Sequence, residues 1–271
     1  GSEQQVIQTL RSFEGLRSIH LHMWNVGVSS FLPTTIRMFF ECAPHLEELE
    51  IFTTIIRVGS LETDIAQASS LFSVNDSGRP SRLRRIKFDG PMYLIDRALP
   101  HHLCLESLQR LVLPPKTPGN GSVVEEGFWL ALAEKARTSG RLGLKHLSSP
   151  RLSPALVKFL SSFSTLEELC FSSGFYPRIK FPPEATRVDS ADPESVSPSV
   201  ERQLVDKFFK TALPRHKNNL QFLLLCGERV HQDWWCPKWE DLESVFECQS
   251  LKRLQIPLYC PVDYQVGASH S

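Results

Sequence analysis

The stretch Leu46-Glu47-Glu48-Leu49-Glu50-Ile51 sets an order of apolar and polar positions that the chain repeats as Leu166-Glu167-Glu168-Leu169-Cys170-Phe171. Looser copies stand at Leu16/Ile19/Leu21, Leu83/Ile86/Phe88, Leu108/Leu111/Leu113, Leu220/Leu223/Leu225 and Leu251/Leu254/Ile256. Leu144/Leu147 keeps the first two anchors and has Ser149 at the third. The first leucines fall at 16, 46, 83, 108, 144, 166, 220 and 251. Spacing of this kind is a repeat period with loop insertions. Leu-x-Leu has the period of one buried strand face, so each copy predicts a short strand with alternate residues turned into a stack.

Between the strands the period changes to that of a helix. Ile36/Phe39/Phe40/Ala43 and Leu156/Phe159/Leu160/Phe163 stand at i, i+3, i+4, i+7. Leu61/Ile65/Ala68/Phe72, Val200/Leu204/Phe208/Ala212 and Trp239/Leu242/Phe246 are further one-sided stripes. Ser122 with Glu125 reads as a capping box. Ser153-Pro154 and Ser197-Pro198 each place an N-cap before a proline at the first helical position. Pro44, Pro100 and Pro214 are expected to stop helices just before a strand.

Strand, loop and helix in constant order predict a parallel sheet with right-handed crossovers. The expected fold is α/β, an irregular leucine-rich-repeat solenoid of about eight repeats. Its parallel sheet lines the concave side and its helices the convex side. Residues 1–271 form a single domain in this reading. Residues 3–13, with Val6, Ile7, Leu10 and Phe13 at helical spacing, are expected to be an N-terminal capping helix, and 257–271 a C-terminal cap and tail. Residues 174–199, rich in Pro, Ser and acid, account for the longest interval and read as an inserted loop.

Composition adds limits. Hydrophobic residues make up 41% and charged residues 22%, ordinary for a chain that buries a core. Lys plus Arg and Asp plus Glu balance at 30 each, so no net field favours nucleic acid or an acidic membrane as partner. No apolar run is long enough to span a bilayer. The 7 cysteines form no CxxC pair, which favours a reducing, intracellular setting in cytoplasm or nucleus. Gly1-Ser2 has the form of a tag-cleavage remnant, so the natural N-terminus is expected to be missing from this sequence.

Irregular repeat lengths, a helix in every repeat and the segment Ala43-Pro44-His45-Leu46-Glu47-Glu48-Leu49 resemble the leucine-rich domains of F-box proteins, particularly those of fungi. In that family the repeats select a substrate while an upstream F-box docks onto the Skp1 adaptor of a ubiquitin ligase. The resemblance implies a substrate-binding domain whose F-box lies outside these residues. The repeat code itself is shared by many binding proteins, so it implies architecture more than partner.

The residues beside the second anchor of each copy should face the open side. They are Ser18/His20, Glu48/Glu50, Arg85/Lys87, Arg110/Val112, His146/Ser148, Glu168/Cys170, Phe222/Leu224 and Arg253/Gln255. From these, His20, Glu48, Glu50, Arg85, Lys87, Arg110, His146, Phe222, Leu224 and Arg253 are the candidate partner-binding residues. Glu48 and Arg85 can equally pair with each other across the sheet. Cys170, Phe222, Leu224 and Cys226 make an apolar strip that a partner or the insertion, through Phe175, Tyr176, Ile179 and Phe181, must cover, and the insertion is the preferred cover. Trp234 and Trp235 are candidate rim residues.

No GxSxG, HExxH, Walker or GxGxxG motif is present. Cys226, His231 and Cys236 lack the number and spacing of a zinc site. The reading expects no catalytic, cofactor or metal site. It expects a monomeric, non-catalytic scaffold that recognises a protein and binds neither nucleic acid nor membrane. The alternative is a small-molecule receptor with a pocket between the concave face and the 174–199 insertion.

Overall fold

The computed structural model describes residues 8–9, 15–24, 45–54, 82–89, 100, 103–113, 121–150, 152–172, 198–226 and 239–256. Each copy of the leucine code forms one strand. They are β1 (Ser18–Trp24), β2 (Glu48–Thr54), β3 (Arg85–Asp89), β4 (Arg110–Val112), β5 (His146–Ser149), β6 (Glu168–Ser172), β7 (Phe222–Cys226) and β8 (Arg253–Gln255). All lie in one sheet, in chain order, each parallel to the next. The register aligns the second anchor of every copy: Ile19, Leu49, Ile86, Leu111, Leu147, Leu169, Leu223 and Leu254.

A backbone device repeats at each step of the stack. The carbonyl of the residue after the first leucine accepts two N–H groups from the next copy. Arg17 O takes Glu47 and Glu48; Glu47 O takes Arg84 and Arg85; Arg84 O takes Gln109 and Arg110. Gln109, Lys145, Glu167 and Gln221 continue the series, and all these bonds measure 2.7–3.1 Å. Both N–H groups at the entry to each strand from β2 to β8 are thereby satisfied as it joins the sheet.

The anchors point to one face and form a single apolar cluster with the helices. Burial is complete in the middle of the stack, at Leu111, Leu144, Leu166, Leu169 and Leu223. It relaxes at the ends: Leu16 and Leu21 are half-buried, and Leu254 is 39% exposed. Each repeat is closed by its neighbours, so a terminal one is closed on one side only. Ser149 is buried like the leucines it replaces, because the register of β5 dictates its direction.

Four helices are described: α1 (Gly121–Ser139), α2 (Pro154–Leu160), α3 (Pro198–Lys207) and α4 (Trp239–Phe246). α1 buries Phe128, Trp129, Leu132, Ala133 and Ala136, and it ends on Gly140 at φ +67°, whose N–H reaches Ala136 O at 3.2 Å. α2 begins as expected, with Ser153 Oγ accepting from Leu156 N at 3.2 Å and Pro154 in the first turn. Trp129 stacks on Phe159, which meets Phe163, whose ring edge meets His216. This aromatic chain joins α1 and α2 to the helical segment that precedes β7.

The structure differs from the sequence reading in several places. The insertion does not run to 199, because α3 already begins at Pro198; residues 174–197 lie outside the described residues. Helix α1 starts at Gly121, so Ser122 is inside it, and the Glu125 carboxylate accepts from Trp129 Nε1 at 3.3 Å. Pro214 does not end its helix. The chain passes from α3 through a π turn at Phe208–Ala212 into a 3-10 turn at Leu213–His216. Proline has no N–H to donate to the turn before it, and the widened turn admits both Phe208 and Phe209 to the core.

The last stripe is also reversed. Trp239 and Phe246 are 72% and 64% exposed, while Asp241, Val245 and the following Cys248 are buried. Arg202 on α3 explains the rotation: it bonds Asp241 closely, and Asp206 at 2.7 Å. A buried carboxylate must keep its cation, so this pair sets the helix face against the preference of two aromatic rings. Of the expected capping helix at 3–13, Gln8 and Thr9 are described, both helical and exposed. The stripes at 36–43 and 61–72, and the expected cap at 257–271, lie outside the described residues.

Two expectations test this packing. A Cβ on Gly143 would sit 2.2 Å from the Glu106 carbonyl oxygen, where backbone cannot give way easily. Gly143→Ala should cost about 2 kcal/mol or more in urea unfolding. His216 is buried, its Nε2 3.0 Å from the Leu160 carbonyl at the end of α2. Burial lowers its pKa from 6.5 to about 4, against the opposing pull of the Leu160 and Ser164 backbone. The unfolded chain therefore takes up a proton that the folded chain refuses. The contribution is whole above 6.5 and lost as pH falls through about 4. His216→Gln keeps an N–H for Leu160 and cannot titrate. The difference in stability between wild type and this variant should shift by about 3 kcal/mol over that window.

Candidate functional site

Among the described residues the helices pack on one face of the sheet, and alternation decides what stands on the other. Register aligns the outward residues in rows across the strands. One row reads Ser18, Glu48, Arg85, Arg110, His146, Glu168, Phe222, Arg253. The next, two residues along, reads His20, Glu50, Lys87, Val112, Ser148, Cys170, Leu224, Gln255. None of these side chains is buried.

Over β1–β3 the face is wired by charge. Arg85 bonds Glu48 at 2.8 Å, and Ser18 Oγ donates to the same carboxylate at 3.4 Å. His20 Nδ1 lies 3.2 Å from Glu50, and Lys87 Nζ lies 3.9 Å from the same oxygen. Along the strand entrances Glu47 stands between Arg17 at 3.2 Å and Arg84 at 3.6 Å. Acids on β2 thus meet bases on both neighbours. A third row, His22 and Phe52, extends this part: their rings stack at 4.6 Å, and Lys87 Nζ lies 4.6 Å over Phe52. Sequence reasoning missed His22 and Phe52. β1 and β2 are each 7 residues long and carry the alternation one step past the leucine code.

Over β4–β8 the face changes character. Val112, Ser148, Cys170 and Leu224 are adjacent in register, half-buried and uncharged. Burial, with Glu168 next in effect, pushes the Cys170 thiol up to about 11. It is protonated at neutral pH and belongs to the apolar strip. His146 Nδ1 lies 2.8 Å from Glu168 Oε2. Lys145 bonds Glu167 at 2.7 Å. Arg253 places its guanidinium 4.8 Å over the Phe222 ring, and Lys252 donates to Gln221 at 2.9 Å. Arg110 is exposed, and among the described residues no carboxylate is ion-paired with it.

The predicted residues therefore separate. His20, Glu48, Glu50, Arg85 and Lys87 join one paired network, and His146 pairs with Glu168. Leu224 lies in the uncharged strip, and Arg110, Phe222 and Arg253 flank it. Trp234, Trp235 and the insertion expected to cover the strip lie outside the described residues, as does the side chain of Cys226. Among the described residues, Cys104, Cys170 and Cys248 are free thiols, and no three His, Cys, Asp or Glu side chains gather as metal ligands would.

The paired part of the face contributes little stability. Arg85 and Glu48 side chains are 59% and 34% exposed, so water screens the bond. A double-mutant cycle with Glu48→Ala and Arg85→Ala should give a coupling below about 1 kcal/mol, shrinking with added salt.

No protein-family model matches the sequence, and no curated protein matches it. Among solved structures, the tropomodulin C-terminal domain of Caenorhabditis elegans is similar to this chain at 17% identity. The likeness covers 60% of this chain and 91% of that one, with a TM-score of 0.36. At that distance it says nothing about partners, and the solenoid fold rests on strand order and register alone.

Proposed function

We propose that this chain is a non-catalytic protein-recognition scaffold that meets its partner on the sheet face opposite the described helices. The observation that carries the reading is the division of that face. Over β1–β3 the charges satisfy one another, whereas β4–β7 offer an uncharged strip beside cations. Apolar surface edged by charge is the composition of a contact, since burying it returns free energy and the charges fix orientation. The rigid parallel sheet holds these side chains at fixed spacing, so little ordering is lost on binding.

Two of the described thiols and the buried histidine support the non-catalytic part. Burial pushes Cys170 and Cys248 up to about 11, which leaves them weak nucleophiles. His216 bonds a helix-end carbonyl inside the core, away from the open face. No helix among the described residues is long and apolar enough to cross a membrane.

We further propose that the scaffold is the substrate-binding part of an F-box-type ubiquitin-ligase adaptor. Support comes from the resemblance of the 43–49 segment and the irregular repeats. Affinity capture from the source cells with the full gene product tests both parts. A protein partner should be retained by wild type and lost with Leu224→Arg at unchanged melting temperature, with Skp1 recovered from both. Loss of no partner with Leu224→Arg removes the face as the site, and absence of Skp1 removes the adaptor role.

A further inference from the structure

The two halves of the open face differ in charge as well as polarity, and that difference bears on what the partner is made of. Over β4–β8 the outward and entrance columns carry Arg110, Lys145, Lys252 and Arg253 against Glu167 and Glu168. Lys145 and His146 already engage the two acids. Arg253 rests on a ring and Lys252 on an amide, and Arg110 pairs with no carboxylate among the described residues. Among the described residues, cations without carboxylates therefore stand at both ends of this half, with the strip of Val112, Ser148, Cys170 and Leu224 running alongside between them.

Resting on the recognition reading above, we infer that the occupant is an extended, acidic–apolar–acidic peptide segment of the partner that crosses β4–β8. Arg110 and Arg253 lie in the same row, four strand spacings apart. At about 4.8 Å per strand that is about 19 Å, which an extended chain covers in about six residues. One carboxylate meets Arg110, whose planar fork binds it through two parallel hydrogen bonds. A second, about six residues on, meets Arg253 and Lys252. Glu168 stands in the row between them and repels an acid there, so the central residues are uncharged. One or two large apolar side chains among them settle on Cys170, Phe222 and Leu224. The β1–β3 half is unsuited to this segment, because its bases are already taken by Glu47, Glu48 and Glu50.

Selection from a random twelve-residue peptide library displayed on phage, against the whole chain, tests this. Retained peptides should carry Asp or Glu at two positions about six apart, with Leu, Phe or Met between, and should bind less tightly as salt rises. Arg110→Glu should weaken a retained peptide roughly ten-fold or more, and replacing the peptide's first acid by Lys should restore binding to that variant. Arg110 is exposed, so its substitution should leave the melting temperature unchanged, and a melting curve of the variant checks this. Peptides that Leu224→Arg abolishes but that show no acidic preference overturn the charge assignment and leave the face as the site. Peptides indifferent to Leu224→Arg, or no retained peptide at all, overturn both. Binding that emerges only after residues 175–182 are replaced by a Gly/Ser linker overturns the partner segment and makes the chain's own insertion the occupant.

Discussion

A shared carbonyl holds this molecule in register. Between each strand and the next, the oxygen of the residue following the first leucine accepts two successive N–H groups, and this recurs from Arg17 to Arg253. Parallel strands have no hairpin to fix their alignment, and a slip of one residue would exchange the faces of a whole strand. The repeated acceptor and the buried anchors specify the same alignment. Hydrogen bonding and hydrophobic burial therefore cooperate, and side chains separated by long intervals of sequence become direct neighbours.

The helical layer obeys less uniform rules. α1 and α2 follow their apolar stripes, and the chain Trp129, Phe159, Phe163 packs them together. After α3 the missing N–H of Pro214 opens a π turn, and two consecutive phenylalanines enter the core through it. α4 is governed by Arg202, which draws Asp241 inward and leaves Trp239 and Phe246 outside. A periodic stripe predicts the buried face when hydrophobic burial outweighs every competing interaction. Here an ion pair outweighs it, because leaving the buried Asp241 carboxylate alone costs more than exposing a ring.

The open face inherits its logic from the sheet. Outward residues in register become rows, and rows become chemistry: an acidic strand between two basic ones neutralises itself. Among the described residues, an uncharged strip beside Arg110 and Arg253 has no such internal solution. The same rigid spacing that lets Glu48 find Arg85 keeps Arg110 beyond the reach of Glu168, which His146 holds. In the proposed recognition role, such a face depends on a partner that supplies what the sheet omits.

The leucine code sufficed to read the strands, their parallel order, their inward residues and their outward ones, since period-2 alternation survives any loop length. Even Ser149 could be placed inside by counting from Leu147. The apolar stripe of α1 was legible too, at Phe128, Leu132 and Ala136, though only its N-terminus was read. What sequence could not supply was anything set by meetings across the fold: Gly143 pressed against the Glu106 carbonyl, His216 capping α2, Arg202 turning α4, and the choice of which outward charges find partners. The alphabet of the chain determines local period, because that depends on each residue's own preference for oil or water. Only the tertiary structure decides pairing, because an ion pair or a clash exists only when distances between remote residues have been fixed.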